Sequence, residues 1–382
     1  MLNNIDNNKI RFYIIFSILA FNFLWLSELR FLVNEFSDRL LRYMVYIIFI
    51  GIYFYFSKIN YKNKIFIFNC ILLVFSILFV NFYHSDFTLF SVAFLIYPFL
   101  MLLFNSNTDF DEKINYNKLL VIFNVFILFY AIYAAYLNFS NKLYLFNHNE
   151  ISSFSFFVLI FSIFLSEVKS RFNYIIIFNL FITLFISYLL EARAIILSVI
   201  FIFFIALINK MNERIKKIVF IIFSLVTLVL PLIIVHYNCL IRNLHLMILK
   251  LFSSADNVIS TDFDRYDMYL YVKYIVDNNL FGLGISNQEY LAEIKISGLH
   301  SGTLDLMYWG GYYFYIVFML VFITTILYSY YKNRLFISGM ILTYYLLILN
   351  YYEGFLFGNM GLLIVYIYMV MSYYNHKRKI NC

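Results

Sequence analysis

KKIVFIIFSLVTLVLPLIIVH, residues 216–236, begins with two lysines and continues almost entirely in apolar side chains. A run of about 20 such residues is long enough to cross the hydrocarbon core of a bilayer as a helix. Similar runs recur along the chain, and 64% of its 382 residues are hydrophobic while only 13% are charged. Soluble domains carry about 25% charged residues. The sequence therefore predicts an all-α, polytopic integral membrane protein.

The apolar runs predict about twelve transmembrane helices. Their approximate positions are 10–27, 40–57, 64–83, 87–104, 118–138, 151–166, 173–190, 194–209, 216–236, 306–329, 335–351 and 354–374. The first run has no small-residue cleavage site, so it is interpreted as a retained helix. The cysteines are widely separated in the sequence, which predicts neither a disulfide framework nor a metal site.

Loops that are rich in lysine and arginine alternate with loops that are poor in them along the predicted spans. Each short loop on one side carries at least two of them, as in Lys210, Arg214, Lys216 and Lys217. Basic residues collect on the cytoplasmic side of membrane proteins, so both termini are predicted to be cytoplasmic. The formal net charge of +7 then reflects membrane orientation and implies no nucleic-acid partner.

One long loop interrupts the pattern and divides the chain into three parts. Residues 1–236 carry the first nine predicted spans, residues 237–305 form a large external loop, and residues 306–382 carry the last three spans and a tail. Within the loop, 241–252 has the apolar spacing of an interfacial helix. Residues 261–279 predict a second helix with acidic residues in its first turn, and 281–290 predict a glycine-turned loop. Long loops between membrane helices are commonly functional.

Two polar sites fall at the predicted outer ends of spans. NHNE at 147–150 contains Asn149, and Asn before an apolar run is also an ordinary helix N-cap. LLEARAII at 189–196 places Glu191 and Arg193 between two apolar runs. A charge at membrane depth normally faces a cavity or a partner. A tight turn with Arg193 extended towards the interface is the structural alternative.

Two further polar sites lie in and after the long loop. DFDRYD at 262–267 sets Arg265 among three aspartates, either as local ion pairs or as a bidentate grip on a phosphate or carboxylate. GLHSGTLDLMYWGG at 298–311 brings His300 and Asp305 to the mouth of a span, followed by two glycines that permit close helix packing. Histidine is the side chain best suited to moving a proton near neutral pH.

Other catalytic patterns are absent from the sequence. His236, His245 and His300 lack the helical spacing of a metal site, and neither a Walker motif nor GxSxG occurs. An ATP-driven pump and a serine hydrolase are therefore disfavoured.

The four sites in this order resemble the superfamily of O-antigen polymerases (Wzy-type) and O-antigen ligases, polytopic bacterial inner-membrane proteins with one large periplasmic loop. The resemblance covers most of residues 140–374. It departs from the family pattern at Ala192, where a serine is usual, and at Ser301, where an asparagine is usual. The matching pieces are Asn149 in NHNE, Arg193 in LLEARA, Arg265 in DFDRYD, Gly282 and Gly284 in FGLG, His300–Ser301 in GLHSGTLDLMYWGG, and Glu353 in YYEGFLFG.

The resemblance implies glycosyl transfer at the periplasmic face of the bacterial inner membrane. The donor would be an oligosaccharide on undecaprenyl pyrophosphate, and the acceptor a sugar hydroxyl. Arg193, Arg265 and His300 would be the catalytic residues, with no metal ion or other cofactor. His300 is the candidate base, and Glu191 or Asp305 is the alternative, as the base or as a residue that orients it. Membrane lipid and a chain-length regulator protein are the other expected partners. The expected substrate-binding residues are Asn149, Glu191, Asp305 and Glu353.

Polymerase is the first choice, with another lipid-linked repeat unit as the acceptor. O-antigen ligase, which transfers the glycan to lipid A–core, is the near alternative. A lipid-linked oligosaccharide flippase or other transporter would show two related halves or spans broken by Gly or Pro, and no such repeat is evident. A non-enzymatic membrane scaffold is the remaining alternative.

Overall fold

A computed structural model describes residues 64–85, 116–139, 148–169, 174–190, 192–236, 258–285, 301–333 and 336–344, and single positions before residue 96. The regular structure in these ranges is entirely helical. Its nine helices, numbered in chain order, are α1 (Lys64–Tyr83), α2 (Tyr116–Phe139), α3 (His148–Lys169), α4 (Tyr174–Leu189), α5 (Arg193–Ile208), α6 (Glu213–His236), α7 (Val258–Asn278), α8 (Gly302–Asn333) and α9 (Phe336–Tyr344).

The helix positions agree closely with the apolar runs. Helix α1 coincides with the predicted 64–83, and α6 contains the whole of 216–236. The predicted spans 10–27, 40–57, 87–104 and 354–374 lie outside the described residues apart from single positions, as does the predicted interfacial helix 241–252. The all-helical class is confirmed within the described part, and the count of twelve spans stays a prediction.

Three of the described helices are long and apolar enough to cross a membrane, judged by length and composition. The qualifying segments are Lys118–Tyr136, Glu213–Ile233 and Gly302–Thr324. Four shorter apolar helical segments of 10–17 residues, in α1, α3, α4 and α5, accompany them. The Gly302–Thr324 segment of α8 is the most enclosed by the rest of the protein, so α8 is the central helix of the described part.

The helices turn large apolar side chains outwards and small polar ones inwards. Phe68 and Phe181 are 64% and 65% exposed. Asn69, which follows Phe68, and Asn179, two residues before Phe181, are buried. A water-soluble protein has the opposite distribution, because exposed apolar area is unfavourable in water. In lipid the apolar face is the favourable surface, and polar groups must find partners inside the protein.

Helices α2, α3 and α4 pack together, and a buried network of polar side chains joins them. Asn124 donates to Asn179 Oδ1 over 3.1 Å and accepts from Ser155 Oγ over 2.7 Å. Asn179 in turn donates to Ser162 Oγ over 2.6 Å, and Ser155 Oγ lies 2.9 Å from Thr183 Oγ1. Such bonds between membrane helices contribute about 0.6 kcal/mol each, and up to roughly 1.7.

Helix α8 connects this three-helix unit to the rest through its neighbours. It packs on α1, α6, α7 and α9, and α9 in turn contacts α3, α5 and α6. On α1, Asn69 Nδ2 donates to Thr324 Oγ1 over 3.0 Å, and Ser76 Oγ lies 3.3 Å from Tyr313 Oη. Helices α1 and α8 therefore run antiparallel along most of their length.

A carboxylate joins α3 to α9 at one end of the bundle. The backbone N–H of Ile337, in the first turn of α9, donates to Glu167 Oε1 over 2.8 Å. An acidic group at a helix N-terminus interacts favourably with the helix dipole. Lys216 at the start of α6 also approaches the Phe336 ring, at 5.9 Å from its centroid. The end of α3 and the starts of α6 and α9 thus lie together.

Candidate functional site

Helix α8 is broken near its start, at two consecutive glycines. Gly310 and Gly311 have non-helical backbone angles, with φ of −136° and +62° respectively. The loop after α7 docks at the break: the N–H of Leu283 donates to the Tyr308 carbonyl over 2.8 Å, and that of Gly284 donates to the Trp309 carbonyl over 2.9 Å. We call residues 280–284 and 308–311 the glycine clasp.

The clasp requires glycine because its two backbone segments, 280–284 and 308–311, are in direct contact. A Cβ at Gly282 would lie 2.5 Å from the Tyr308 carbonyl oxygen and 2.7 Å from the Gly311 nitrogen. A Cβ at Gly311 would collide with the Leu280 carbonyl group. Both glycines also have positive φ, which side chains disfavour. FGLG and YWGG are therefore two halves of one structure, whereas the sequence suggested only close helix packing for the second.

Aromatic side chains pack the clasp against the end of α1. The Phe281 ring lies 5.2 Å from that of Phe79 and 5.9 Å from that of Tyr313, both in edge-on geometry. His84 Nε2 lies 2.9 Å from the Phe281 carbonyl oxygen. The end of α1, the end of α7 and the start of α8 therefore meet, and we call this the clasp end of the bundle.

Asp305 lies in the first turn of α8, at the clasp end. The helix begins at Gly302, four residues before the predicted 306. Ser301 precedes it, and its Oγ accepts from the Leu304 N–H over 3.4 Å while its carbonyl accepts from the Asp305 N–H over 2.9 Å. Ser301 is thus the N-cap of α8. The Asp305 carboxylate is partly buried and lies near the N-terminus of the helix, where a negative charge interacts favourably with the helix dipole.

Arg265 belongs to α7, the helix that leads into the clasp. Because α7 begins at Val258, its first turn contains no acidic residue, and the prediction of acidic residues in that turn is wrong. The aspartates that flank Arg265 lie further along the helix. Helix α7 packs on α8 and α6, so the helix of Arg265 and the helix of Asp305 are joined by both packing and the clasp.

Arg193 is the first residue of α5, and Asn149 lies in the first turn of α3. Helix α3 begins at His148, so NHNE stands at a helix start and Asn149 lies inside the helix and not at its N-cap position. The residue before Arg193, Ala192, caps α5 with no side-chain hydrogen bond. A cation at a helix N-terminus opposes the dipole, so local helix stability does not account for an arginine there.

Chain direction places Asn149 and Arg193 at the clasp end. Helices α3 and α5 contact each other, and the short α4 between them returns the chain so that their starts lie together. The opposite end of α3 meets α9, directly after the far end of α8. The starts of α3, α5 and α8 are therefore at one end. The predicted site residues Glu191, His300 and Glu353 lie outside the described part of the chain.

Buried polar residues in the helices were not singled out from the sequence. Asn179, Thr183 and Ser187 recur every four residues within an apolar run, and that spacing was the available signal. In the described part, Asn81, with both amide atoms, and Ser152 are among the buried polar side chains that have atoms without a hydrogen-bond partner. Asn81 lies in the last turn of α1, at the clasp end, and Ser152 lies near the start of α3.

Within the described ranges, no three His, Cys, Asp or Glu side chains form a group able to hold a metal ion. Comparisons with protein-family models, with curated proteins and with solved structures returned no match to the chain.

Proposed function

We propose that the protein is a membrane glycosyltransferase of the O-antigen polymerase (Wzy) type. It would transfer an oligosaccharide from undecaprenyl pyrophosphate to another lipid-linked repeat unit. The observation that carries the proposal is the glycine clasp, because it joins three pieces of the resembled motif set: the helix of Arg265, the FGLG loop and the start of α8 with Asp305. Motif pieces that are separate in sequence thus form one structural unit.

The leaving group of this reaction is a pyrophosphate, which requires positive charge around it. Arg193 begins α5 at the positive end of that helix's dipole, and Ala192 before it offers no side-chain cap to the backbone N–H groups. A helix N-terminus together with an arginine is a favourable environment for a phosphate group. This position supports the role of Arg193 as a pyrophosphate ligand, with Arg265 as the second cationic candidate.

The proposed step forms one bond and breaks one. The acceptor hydroxyl oxygen attacks the anomeric carbon of the donor sugar, and the bond from that carbon to the pyrophosphate oxygen breaks with both electrons on the pyrophosphate. The hydroxyl proton goes to His300, which immediately precedes the cap residue Ser301 of α8. Asp305, one turn later, is suited to orienting the acceptor or the imidazole. Arg193 and Arg265 stabilise the charge on the leaving group.

The break in α8 also raises the transporter alternative, since many transporters bind substrate at broken helices. There, freed backbone groups near the break coordinate the solute. Here the carbonyl groups of Tyr308 and Trp309 already accept from the loop N–H groups of Leu283 and Gly284. The break therefore favours a loop-docking role, and the enzyme remains the preferred function.

The test is a gel of surface polysaccharide from a strain that lacks the gene, with and without the gene restored. A polymerase predicts that the deletion leaves core plus one repeat unit and that restoration returns the ladder. A ligase predicts loss of all attached glycan, with polymer retained on the lipid carrier. An unchanged ladder in the deletion strain would overturn both enzyme assignments.

A further inference from the structure

Asn81 is a buried amide with no hydrogen-bond partner. Its side chain is 1% exposed, and neither its nitrogen nor its oxygen is paired among the groups around it in the described structure. An amide can donate two hydrogen bonds and accept two, and leaving them unmade in a buried place is destabilising. Buried polar groups without partners are rare in native proteins, and each one calls for an explanation such as backbone strain, a catalytic role or a bound polar group.

The residue lies beside the glycine clasp. Val80, its neighbour on α1, packs against the break in α8, since a Cβ at Gly310 would lie 3.0 Å from Val80 Cγ2. His84, three residues on and on the same helix face, is 2.9 Å from the carbonyl oxygen of Phe281 in the clasp loop. Asn81 is therefore between two residues that contact the two halves of the clasp.

The position is also close to the end of the helix and its surface. Helix α1 ends at Tyr83, and Phe82 and Tyr83 are 67% and 54% exposed. Asn81 is two residues before the last residue of α1, and so lies within one helical turn of the clasp end. Deeper polar residues of the same helix are already paired: Asn69 with Thr324, and Ser76 with Tyr313.

We propose that Asn81 binds a neutral polar group of the glycan substrate, a sugar hydroxyl or acetamido group, at the clasp end of the bundle. Such a group both donates and accepts, and so can satisfy both unpaired amide atoms. An anion would only accept, and so would leave the amide oxygen of Asn81 unpaired. The assignment rests on the proposed glycosyltransferase function and names a residue outside its resembled motifs.

Asn69 is a matched control on the same helix. It is an asparagine of similar burial, 4% exposed, but its amide already donates to Thr324 Oγ1 over 3.0 Å. Asn69→Leu should remove a structural hydrogen bond and lower the melting temperature Tm. Asn81→Leu keeps the approximate shape and removes an unpaired amide, so its Tm should be unchanged or higher.

The experiment restores the gene in the deletion strain as wild type, Asn81→Leu, Asn81→Ala or Asn69→Leu. It compares glycan ladders at matched membrane levels and the Tm of each purified full-length protein in detergent. The proposal expects Asn81→Leu to give at least tenfold less polymer at wild-type Tm, Asn81→Ala to lose polymer too, and Asn69→Leu to lower Tm with polymer in proportion to folded protein.

Either of two results would overturn the assignment. A normal ladder from both Asn81 variants while the deletion strain lacks one leaves the polymerase function standing and makes Asn81 a purely structural or water-bound residue. A ladder that does not depend on the gene at all removes the proposed function, and with it the glycan ligand. The wild-type and deletion lanes therefore separate the two failures.

Discussion

The backbone N–H of Gly284 donates to the carbonyl oxygen of Trp309 over 2.9 Å. In an unbroken helix that carbonyl would instead accept from the N–H of Tyr313. The loop after α7 thus supplies, from outside, hydrogen bonds that the break at Gly310 and Gly311 removes from α8. Groups of this kind must be paired inside a membrane protein, so the loop and the broken helix depend on each other.

Replacing Gly311 with alanine should destabilise the protein. The new Cβ would collide with the Leu280 carbonyl, and the positive φ adds strain of roughly 1–3 kcal/mol. Thermal unfolding in detergent should show a lower Tm. Gly51→Ala is the control, because Gly51 is helical with nothing within 4 Å of a Cβ; there alanine should raise stability by about 1 kcal/mol. Equal Tm values for the two variants would contradict the clasp.

Arg193→Ala and Arg265→Ala should each abolish chain extension while the protein still inserts. Loss of one charged group that stabilises a leaving group reduces the rate by roughly 100-fold or more. Ladder length on a gel and protein level in the membrane fraction are the measurements. Arg214→Ala is the matched control, since Arg214 is exposed near the start of α6, at the end opposite the clasp. Normal long-chain glycan from both site variants would remove the arginines from the catalytic site.

Asp305→Asn should lower the polymer yield much more than it lowers the thermal stability of the protein. The amide keeps the side-chain shape and loses a favourable interaction with the dipole of α8 worth about 0.3–1 kcal/mol, so Tm should fall only slightly. Polymer yield should fall much more if the carboxylate orients the acceptor. Asp277→Asn, at an exposed acid near the end of α7, should leave both Tm and yield unchanged. Equal yields from the two variants would place Asp305 outside the site.

His300→Ala should reduce turnover by roughly 100-fold to 10,000-fold if His300 is the general base. The rate of polymer formation from purified lipid-linked repeat units is the direct measurement. Binding of that donor should persist, because the imidazole acts on the acceptor proton. Unaltered turnover would reassign the base to another group at the clasp end.

The buried network should show as energetic coupling between Asn124 and Asn179. Each alanine variant breaks the 3.1 Å bond between them, so a double-mutant cycle should give a coupling of about 0.6 kcal/mol, and at most roughly 1.7. A cycle of Asn124 with Asn69 should give none, because Asn69 belongs to the separate α1–α8 contact. Unfolding free energies in mixed micelles supply both. Coupling of equal size in both cycles would contradict the assignment of two separate clusters.

Hydropathy predicted the helices well and their interruptions poorly. The boundaries of α1 follow directly from its apolar run, because lipid-compatible length is a property of the segment alone. Hydropathy does not predict the break at Gly310, since aromatic and apolar residues continue on both sides of it. Its cause is a contact with Gly282 and Leu280, and a contact between distant segments is not encoded in either segment by itself.

The candidate site was predictable in its residue types and not in its geometry. The sequence marks Arg193 because an arginine between apolar runs is costly, yet its placement as the first residue of α5 needed the helix boundary. Asn81 carries no mark at all, since single asparagines are frequent in this chain and most need no explanation. Only the burial of its unpaired amide distinguishes it from Asn69.

The two sets of polar contacts also differ in when they can form during synthesis. Partners in the α2–α3–α4 network are 17 to 55 residues apart, so that unit can assemble soon after it leaves the ribosome. Asn69 and Thr324 are 255 residues apart. At roughly 5–20 residues per second, α1 waits about 10–50 s before its partner helix exists. During that interval the amides of Asn69 and Asn81 must be tolerated by lipid or shielded by the insertion machinery.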